Sequence, residues 1–347
     1  MRKMGLFCAL LIVEIVTTAG AAQAHRWFVP RDFATIQEAV DSDLVTDGDT
    51  LFVAPGRHAG AVVTKALTIV GSWGAVIDSG PALVEDHPCL GDLEIGFQLG
   101  FAGNREGSGT TIANLYFDNI AFPVFGRSVD NITVFHNVMK RPVQGITNSS
   151  GKRWLIKQNK IEDLKTANGG GLAIFVGDKR GRPGGIRQNR VNYNTIVGTL
   201  QVSECDTAAY KGAGITLSAN FTNGALGAEF VTENLVAFNR VSMDSDTPSL
   251  IDFTGILLIE SGESPEAPVI FDNLIMLNDL QGVEAPFFFS PDTIADENTL
   301  FMNQVTRTDW DTESMLSTKS SGTATASMPS GSRSIGQATG ERIRVFE

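Results

Sequence analysis

Short apolar runs, each bounded by an Asn or a Gly, recur along this chain as far as residue 305. The stretch from Ile132 through Asn137 and Gly145 to Trp154, Asn159 and Ile161 holds one complete unit: an apolar run, Asn-x-apolar, a polar turn, Gly-apolar, and the Asn signal again. Asn-x-apolar then recurs as doublets with the two Asn five apart: Asn189 with Asn194, Asn234 with Asn239, Asn273 with Asn278, Asn298 with Asn303. Between the doublets stand Gly145-Ile146, Gly171-Leu172, Gly214-Ile215, Gly255-Ile256 and Gly282-Val283. Repetition of this kind marks a solenoid, in which stacking on neighbours completes a core that no single unit can close.

Runs such as Leu274-Ile-Met-Leu277 and Leu172-Ala-Ile-Phe-Val176 are too short for helices and rich in strand-forming side chains. Asn and Gly tolerate left-handed backbone angles and so suit sharp corners. Stacked turns would also bring the Asn amides into ladders. The pattern predicts an all-β, single-stranded right-handed parallel β-helix. A β-sandwich with turn-rich loops is the alternative reading of the same runs.

Before the repeats, residues 1–24 read as an export signal: Arg2 and Lys3, an apolar middle interrupted by Glu14, and an Ala-x-Ala exit at Ala24. Its removal takes away two cations and one anion, moving the net charge from −12 to −13. A secreted or periplasmic location follows, and no other segment is apolar and long enough to span a bilayer. Thr35 and Glu38 form a capping box ahead of the stripe Ile36, Ala39, Val40, which predicts one short helix over the open end of the solenoid. The body of the solenoid is expected over 25–310. Residues 81–110 read as a Gly-rich surface excursion. Residues 311–347 read as a Ser/Thr/Gly-rich disordered tail, and nothing in the sequence requires its short Ile343-Arg-Val-Phe346 end to dock.

Thr35-Ile-Gln-Glu-Ala-Val40, then Gly48-Asp-Thr-Leu-Phe-Val-Ala-Pro-Gly56, then Leu67-Thr-Ile-Val-Gly71 resembles the opening of pectin-lyase-like β-helix proteins. These include pectinesterases and the copper-site maturation β-helices of the periplasm. The resemblance implies the fold and a role with exported glycans; it is specific over about residues 30–80. Where pectinesterases carry a Tyr and a Glu, this chain has His58 and Ala61. The catalytic motifs of pectinesterases, polygalacturonases and mannuronan epimerases do not occur at coil positions. Fold alone does not establish function.

Charge adds a local contrast. Between 140 and 190, twelve Lys/Arg stand against Glu162, Asp163 and Asp178, a net +9 inside an acidic chain. Turns after the Gly-apolar strands hold Lys152 and Arg153, then Lys179, Arg180, Arg182 and Arg187, then Glu260, Glu263 and Glu266, then Asp292, Asp296 and Glu297. One edge, basic at one end and acidic at the other, is the expectation. An Arg fork can bond both oxygens of a carboxylate, and a cation offsets enolate charge in β-elimination of a uronate. Arg182 and Arg187 are therefore the candidate catalytic residues, and Lys152, Arg153, Lys179 and Arg180 the candidate contacts for an acidic polysaccharide. Asp244 and Asp246 offer oxygens to Ca²⁺. The bland alternative is a solvated hairpin with nothing bound, which would leave a non-catalytic envelope protein that binds glycan or protein elsewhere.

An exported chain of this net charge repels phosphates, so nucleic acid is not expected as a partner. His25, His58, His87 and His136 lack metal-ligand spacing. Cys89 and Cys205 stand about four rungs apart, roughly 15 Å at ~4.8 Å per rung, so two free thiols are expected. The chain is expected to be a monomer.

Overall fold

The computed structural model describes residues 24–87, 90–100, 105–166, 170–178, 185–204, 211–220, 230–245, 253–261, 269–283, 285–290 and 292–305. Through these residues the chain winds as a right-handed parallel β-helix with three long sheets. Sheet I runs through ten strands from Arg26–Val29 to Thr299–Phe301, and sheet II through nine from Gly56–Ala59 to Gln304–Val305. Sheet III runs from Ala61–Val63 to Ala285–Ser290. One turn visits the sheets in that order, as in Thr133–Phe135, Val138–Lys140 and Gln144–Ser149, before Leu155 stacks on Thr133. The ladder spacing gives the length of each turn: 22 residues here, then 35, 45, 39 and 25 in the turns that follow.

The interior is built from columns of aligned apolar side chains. Val134, Ile156, Val191, Val236, Ile275 and Leu300 follow one another in sheet I. Phe117, Met139, Ile161, Ile196 and Val241 do so in sheet II, and Val124, Ile146, Ile174, Ile215 and Ile256 in sheet III. All are buried. Each contributes about 1.5–3 kcal/mol relative to an exposed position, so the fold is held by repetition rather than by one centre.

The asparagines form two ladders, as their spacing requires. At the sheet I–II corner the Nδ2 of Asn137 donates to the Oδ1 of Asn159 at 3.0 Å, and the chain of amides continues through Asn194, Asn239, Asn278 and Asn303 at 2.9–3.0 Å. At the III–I corner the series is Asn189, Asn234, Asn273 and Asn298, with bonds of 2.8–2.9 Å. Trp154 occupies the position below Asn189. The missing amide is supplied by Asn148 from sheet III, whose Nδ2 donates to Asn189 at 3.1 Å, while the Trp154 indole donates to the Val129 carbonyl.

One expectation about these corners needs correcting. The ladder asparagines do not hold the left-handed angle; at the I–II corner the residue before each one does, whatever its type. His136, Gln158, Tyr193, Phe238, Leu277 and Met302 all have φ between 51° and 58°. Each corner amide is fixed instead by the next rung, as in Phe238 N to Met276 O at 3.2 Å and Leu277 N to Phe301 O at 3.0 Å. The Asn is there for its amide, and its neighbour takes the strain.

The glycine signal also resolves into a physical cause, with two corrections. A Cβ at Gly145, Gly214 or Gly255 would come within 2.6–2.7 Å of the backbone oxygen of the next turn. In the intervening turn that place is held by Ala173, because Gln144 pairs with Leu172 and Leu172 with Ala213, so Gly171 lies outside the column. Gly282 pairs with Ser242 in sheet II, so it does not open a sheet III strand. The surface excursion expected over 81–110 is partly a rung. Gly91–Leu99 is a sheet III strand between Ala61–Val63 and Phe122–Arg127, with Ala82–His87 folded antiparallel on it. Its alternating Leu93, Ile95, Phe97 and Leu99 are buried.

The N-terminal helix, Ile36–Asp41, is capped by Thr35, whose Oγ1 accepts from Glu38 N at 3.0 Å, while Glu38 accepts from Ala34 N at 2.8 Å. Ile36, Ala39 and Val40 are buried. Gln37 seals the first strand of sheet III by accepting from Val62 N at 2.7 Å and donating to Val62 O at 3.3 Å. An exposed strand edge is thereby paired without another strand.

Candidate functional site

The III–I corner presents one residue per turn outward in a left-handed conformation: Asn131, Arg153, Gln188, Glu233 and Asp272. Their amides lock the turns in sequence. Asn131 N donates to Lys152 O at 2.9 Å, Arg153 N to Arg187 O at 3.1 Å, Glu233 N to Asp272 O at 3.2 Å, and Asp272 N to Glu297 O at 2.8 Å. Lys152, Arg153 and Arg187 thus stand on one edge in adjacent turns. Arg153 and Arg187 are exposed. Arg153 Nε donates to Asn131 Oδ1 at 2.7 Å, and the Lys152 amide is held at 2.8 Å by the buried Asp130 carboxylate.

The basic region extends onto the outer face of sheet I, where Leu155 pairs with Arg190 and Lys157 with Asn192. Lys157 Nζ stands 5.5 Å from the Phe135 ring centroid. Arg153, Lys157, Arg187 and Arg190 have no carboxylate partner among the described residues. The field there is accordingly uncompensated at close range.

Further along, the same edge turns acidic, as expected, though mostly through other residues. Glu233, Asp272 and Glu297 form that end, with Gln188 Nε2 donating to Glu233 at 3.1 Å. Glu260 does not belong to it: it is buried, and its carboxylate accepts the amides of Val269 at 2.7 Å and Ile270 at 3.1 Å. Asp296 is exposed. Lys179, Arg180, Arg182, Glu263, Glu266 and Asp246 lie outside the described residues, as do Cys89, Cys205, residues 1–23, which carry the expected export signal, and the expected tail from residue 311. The stems of 179–184 are nonetheless placed. Before it the strand Gly171–Asp178 has its Gly177 carbonyl accepting from Ser150 N at 2.8 Å, and after it Arg187 accepts from Arg153 N at 3.1 Å through its carbonyl. Asp244 is exposed and pairs with Thr199 in sheet II, away from the basic edge. Among the described residues no three His, Cys, Asp or Glu side chains converge as a metal site.

A second charged group, at the II–III corner, was not legible as a unit. Arg57 bonds Asp78 at 2.5 Å and reaches Asp118 at 3.6 Å, Arg141 bonds Asp118 at 3.0 Å, and Lys165 Nζ donates to Asn119 at 2.6 Å. Burial, and then the charge of Arg141, push the Lys165 ammonium below its ordinary pKa. Burial also pushes the Glu94 carboxyl up, reinforced by Asp92 and Asp78 and opposed by a hydrogen bond with the Gly80 backbone. Most of these charges are neutralised within the group, which ties successive turns together.

No family model matches the chain. Over 81 residues it is 37% identical to a cell surface glycoprotein of Methanothermus fervidus, a stretch that is 23% of this chain and 14% of that protein. The chain therefore spans only a small part of that relative's length. Among solved structures, an exopolygalacturonase from Thermotoga maritima aligns at 10% identity and a TM-score of 0.38, covering 76% of this chain and 81% of that one. The catalytic domain of a GH87 alpha-1,3-glucanase aligns at 12% and 0.32, covering 78% and 64%. No helix among the described residues is long and apolar enough to cross a membrane. With its three parallel sheets, paired asparagine ladders and capping helix, the chain is a right-handed parallel β-helix.

Proposed function

We propose that this protein is exported and binds an acidic polysaccharide along its III–I edge and the adjoining face of sheet I. The observation that carries the reading is the set Arg153, Lys157, Arg187 and Arg190: four cations on two adjacent turns, without carboxylate partners among the described residues. Turns repeat every ~4.8 Å, so a polymer with one carboxylate per sugar can place successive charges against successive turns. An Arg fork suits a carboxylate, and exposed pairs of this kind give affinity that falls with salt. The exported location rests on the leader-like residues 1–24 and agrees with the partial likeness to a cell surface glycoprotein.

Cleavage by β-elimination is the stronger form of the proposal. Arg182 and Arg187 would then serve proton removal and charge neutralisation at the uronate, with Lys152, Lys179 and Arg180 holding the strand. Ca²⁺ held by Asp244 and Asp246 is the accompanying metal proposal; the sheet II position of Asp244 would make its role distinct from that of the basic edge. A non-catalytic binder is the second reading, favoured by the absence of any described His, Tyr or carboxylate bonded to the Arg187 side chain.

Retention on immobilised polygalacturonate or alginate, against a neutral glucan, tests binding. The double variant Arg153→Ala/Arg187→Ala is expected to bind roughly threefold to tenfold more weakly, since each exposed ion contact is worth about 0.2–1 kcal/mol. Equal retention on the neutral glucan removes the acidic-polysaccharide reading. Release of unsaturated uronate, followed by absorbance with and without Ca²⁺ and lost on replacing Arg182, decides between lyase and binder.

A further inference from the structure

The charged group at the II–III corner leaves two donors without acceptors. Asn119, Arg141 and Asp163 stack there in successive turns, their amides donating to Lys140 O, Glu162 O and Val197 O at 2.7–3.2 Å. Lys165 follows in the third of these turns, yet its Nζ donates to Asn119 Oδ1 in the first, at 2.6 Å. Its half-buried side chain therefore runs back across the turn of Arg141 and brings two cations together. The carboxylates around them are already engaged. Asp78 holds Arg57, Asp118 holds both Arg57 and Arg141, Glu162 pairs with Lys160, and Asp163 Oδ1 accepts from Thr199 N at 3.1 Å. Lys165 is left with the neutral Asn119 amide and no carboxylate among the described residues. Arg141 spends Nη2 on Asp118, while its Nε is buried and donates to nothing. A buried N–H without an acceptor is costly, and in folded proteins such a group calls for a partner.

We infer that Arg141 and Lys165 form a binding site for a carboxylate, Arg141 Nε donating to the ligand and Lys165 Nζ supplying the second charged contact. An ammonium has three N–H groups, of which Asn119 takes one, so donors remain on both sides. An anion also relieves the crowding of like charges: burial and the charge of Arg141 already weaken the Lys165 ammonium, and a carboxylate between them restores it. Charge-assisted bonds to two cations suit a group with two oxygens and a single negative charge. The site lies across sheet III from the III–I edge and shares no residue with it, so it stands apart from the polymer-binding proposal.

The test follows acylation of Lys165 in the full-length chain by an uncharged N-hydroxysuccinimide ester, read by mass spectrometry against Lys65, which lies near the N-terminal end and bonds Ser42 O. Galacturonate is expected to slow acylation of Lys165 several-fold and leave Lys65 unchanged, with galactose and chloride at matched ionic strength without effect. Arg141→Gln should abolish the protection. Arg141→Lys, which keeps the charge but lacks Nε, should need roughly tenfold more galacturonate for the same effect. Both variants are compared at unchanged far-ultraviolet circular dichroism. Equal protection by acetate assigns a free small carboxylate; protection by polygalacturonate alone assigns a uronate within a polymer. Arg153→Ala/Arg187→Ala should leave the protection intact, and its loss there would return the effect to the III–I edge and overturn the proposal. So would protection by inorganic phosphate alone, equal protection by chloride or galactose, no protection by any carboxylate, or full protection in Arg141→Gln.

Discussion

At the scale of single residues, the corners divide two tasks between neighbours. Asn194 accepts from the amide and the Nδ2 of Asn159, both at 3.0 Å, and donates to the Ile156 carbonyl and to Asn239. Asn194→Ala strands the two buried Asn159 donors and takes a donor from the Ile156 carbonyl and from Asn239 Oδ1, and each unsatisfied group costs about 1–3 kcal/mol. A loss of roughly 2–4 kcal/mol in denaturant unfolding is expected; a change below about 1 kcal/mol would mean that the ladder is ornamental. Gln158, immediately before Asn159, is exposed with φ 54°. Gln158→Asn should raise stability by about 0.5–1 kcal/mol, because Asn visits that region at lower steric cost. The contrast separates the amide from the angle.

At the scale of elements, the inward column that opens the sheet III strands holds glycine at Gly145, Gly214 and Gly255 and alanine only at Ala173. Gly214 has no room for a methyl, with the Gly255 oxygen at 2.6 Å and a Val241 methyl at 2.7 Å from a built Cβ, whereas the aligned position one turn earlier holds Ala173 natively. Gly214→Ala is expected to destabilise by about 1–3 kcal/mol through overpacking. Ala173→Gly should cost only about 0.5–1 kcal/mol, the usual backbone penalty. Equal effects in thermal unfolding would show that the column does not set the distance between turns. The hairpin onto Gly91–Leu99 and the Gln37 bonds to Val62 give partners to two strands of sheet III near the N-terminal end.

At the scale of the molecule, charge is arranged by corner. The II–III group binds turns to one another, and the III–I edge leaves cations facing solvent. Lys165 gives a pH test of the first. Its folded pKa lies below its unfolded value of 10.5, so the folded state holds the proton less firmly than the unfolded chain. Its unfavourable contribution is complete below the folded pKa and disappears as pH rises toward 10.5. Lys165→Met should therefore raise the unfolding midpoint at neutral pH, with the gain shrinking between the two pKa values. A gain independent of pH would assign it to packing instead. The III–I edge is tested by the salt-sensitive retention of Arg153→Ala/Arg187→Ala described above.

The repeated signals were legible because they are local. Asn doublets five residues apart place one amide in each ladder, and the Thr35–Glu38 box with Ile36, Ala39 and Val40 specifies its helix within a few residues. Even so, the strand Gly91–Leu99 escaped notice, its alternation hidden among glycines. The coil, its cap and the basic character of residues 140–190 were thus determined by the sequence itself. Tertiary structure alone decided which residue bears each left-handed corner, that Glu260 turns inward, and that Arg57, Asp118 and Arg141 meet. It also decided that Phe238, Leu277 and Met302 line up on one flank. The physical reason is that turns of 22 to 45 residues carry no constant spacing, so neighbours across turns are assigned only by the hydrogen-bonded register of the stacked strands.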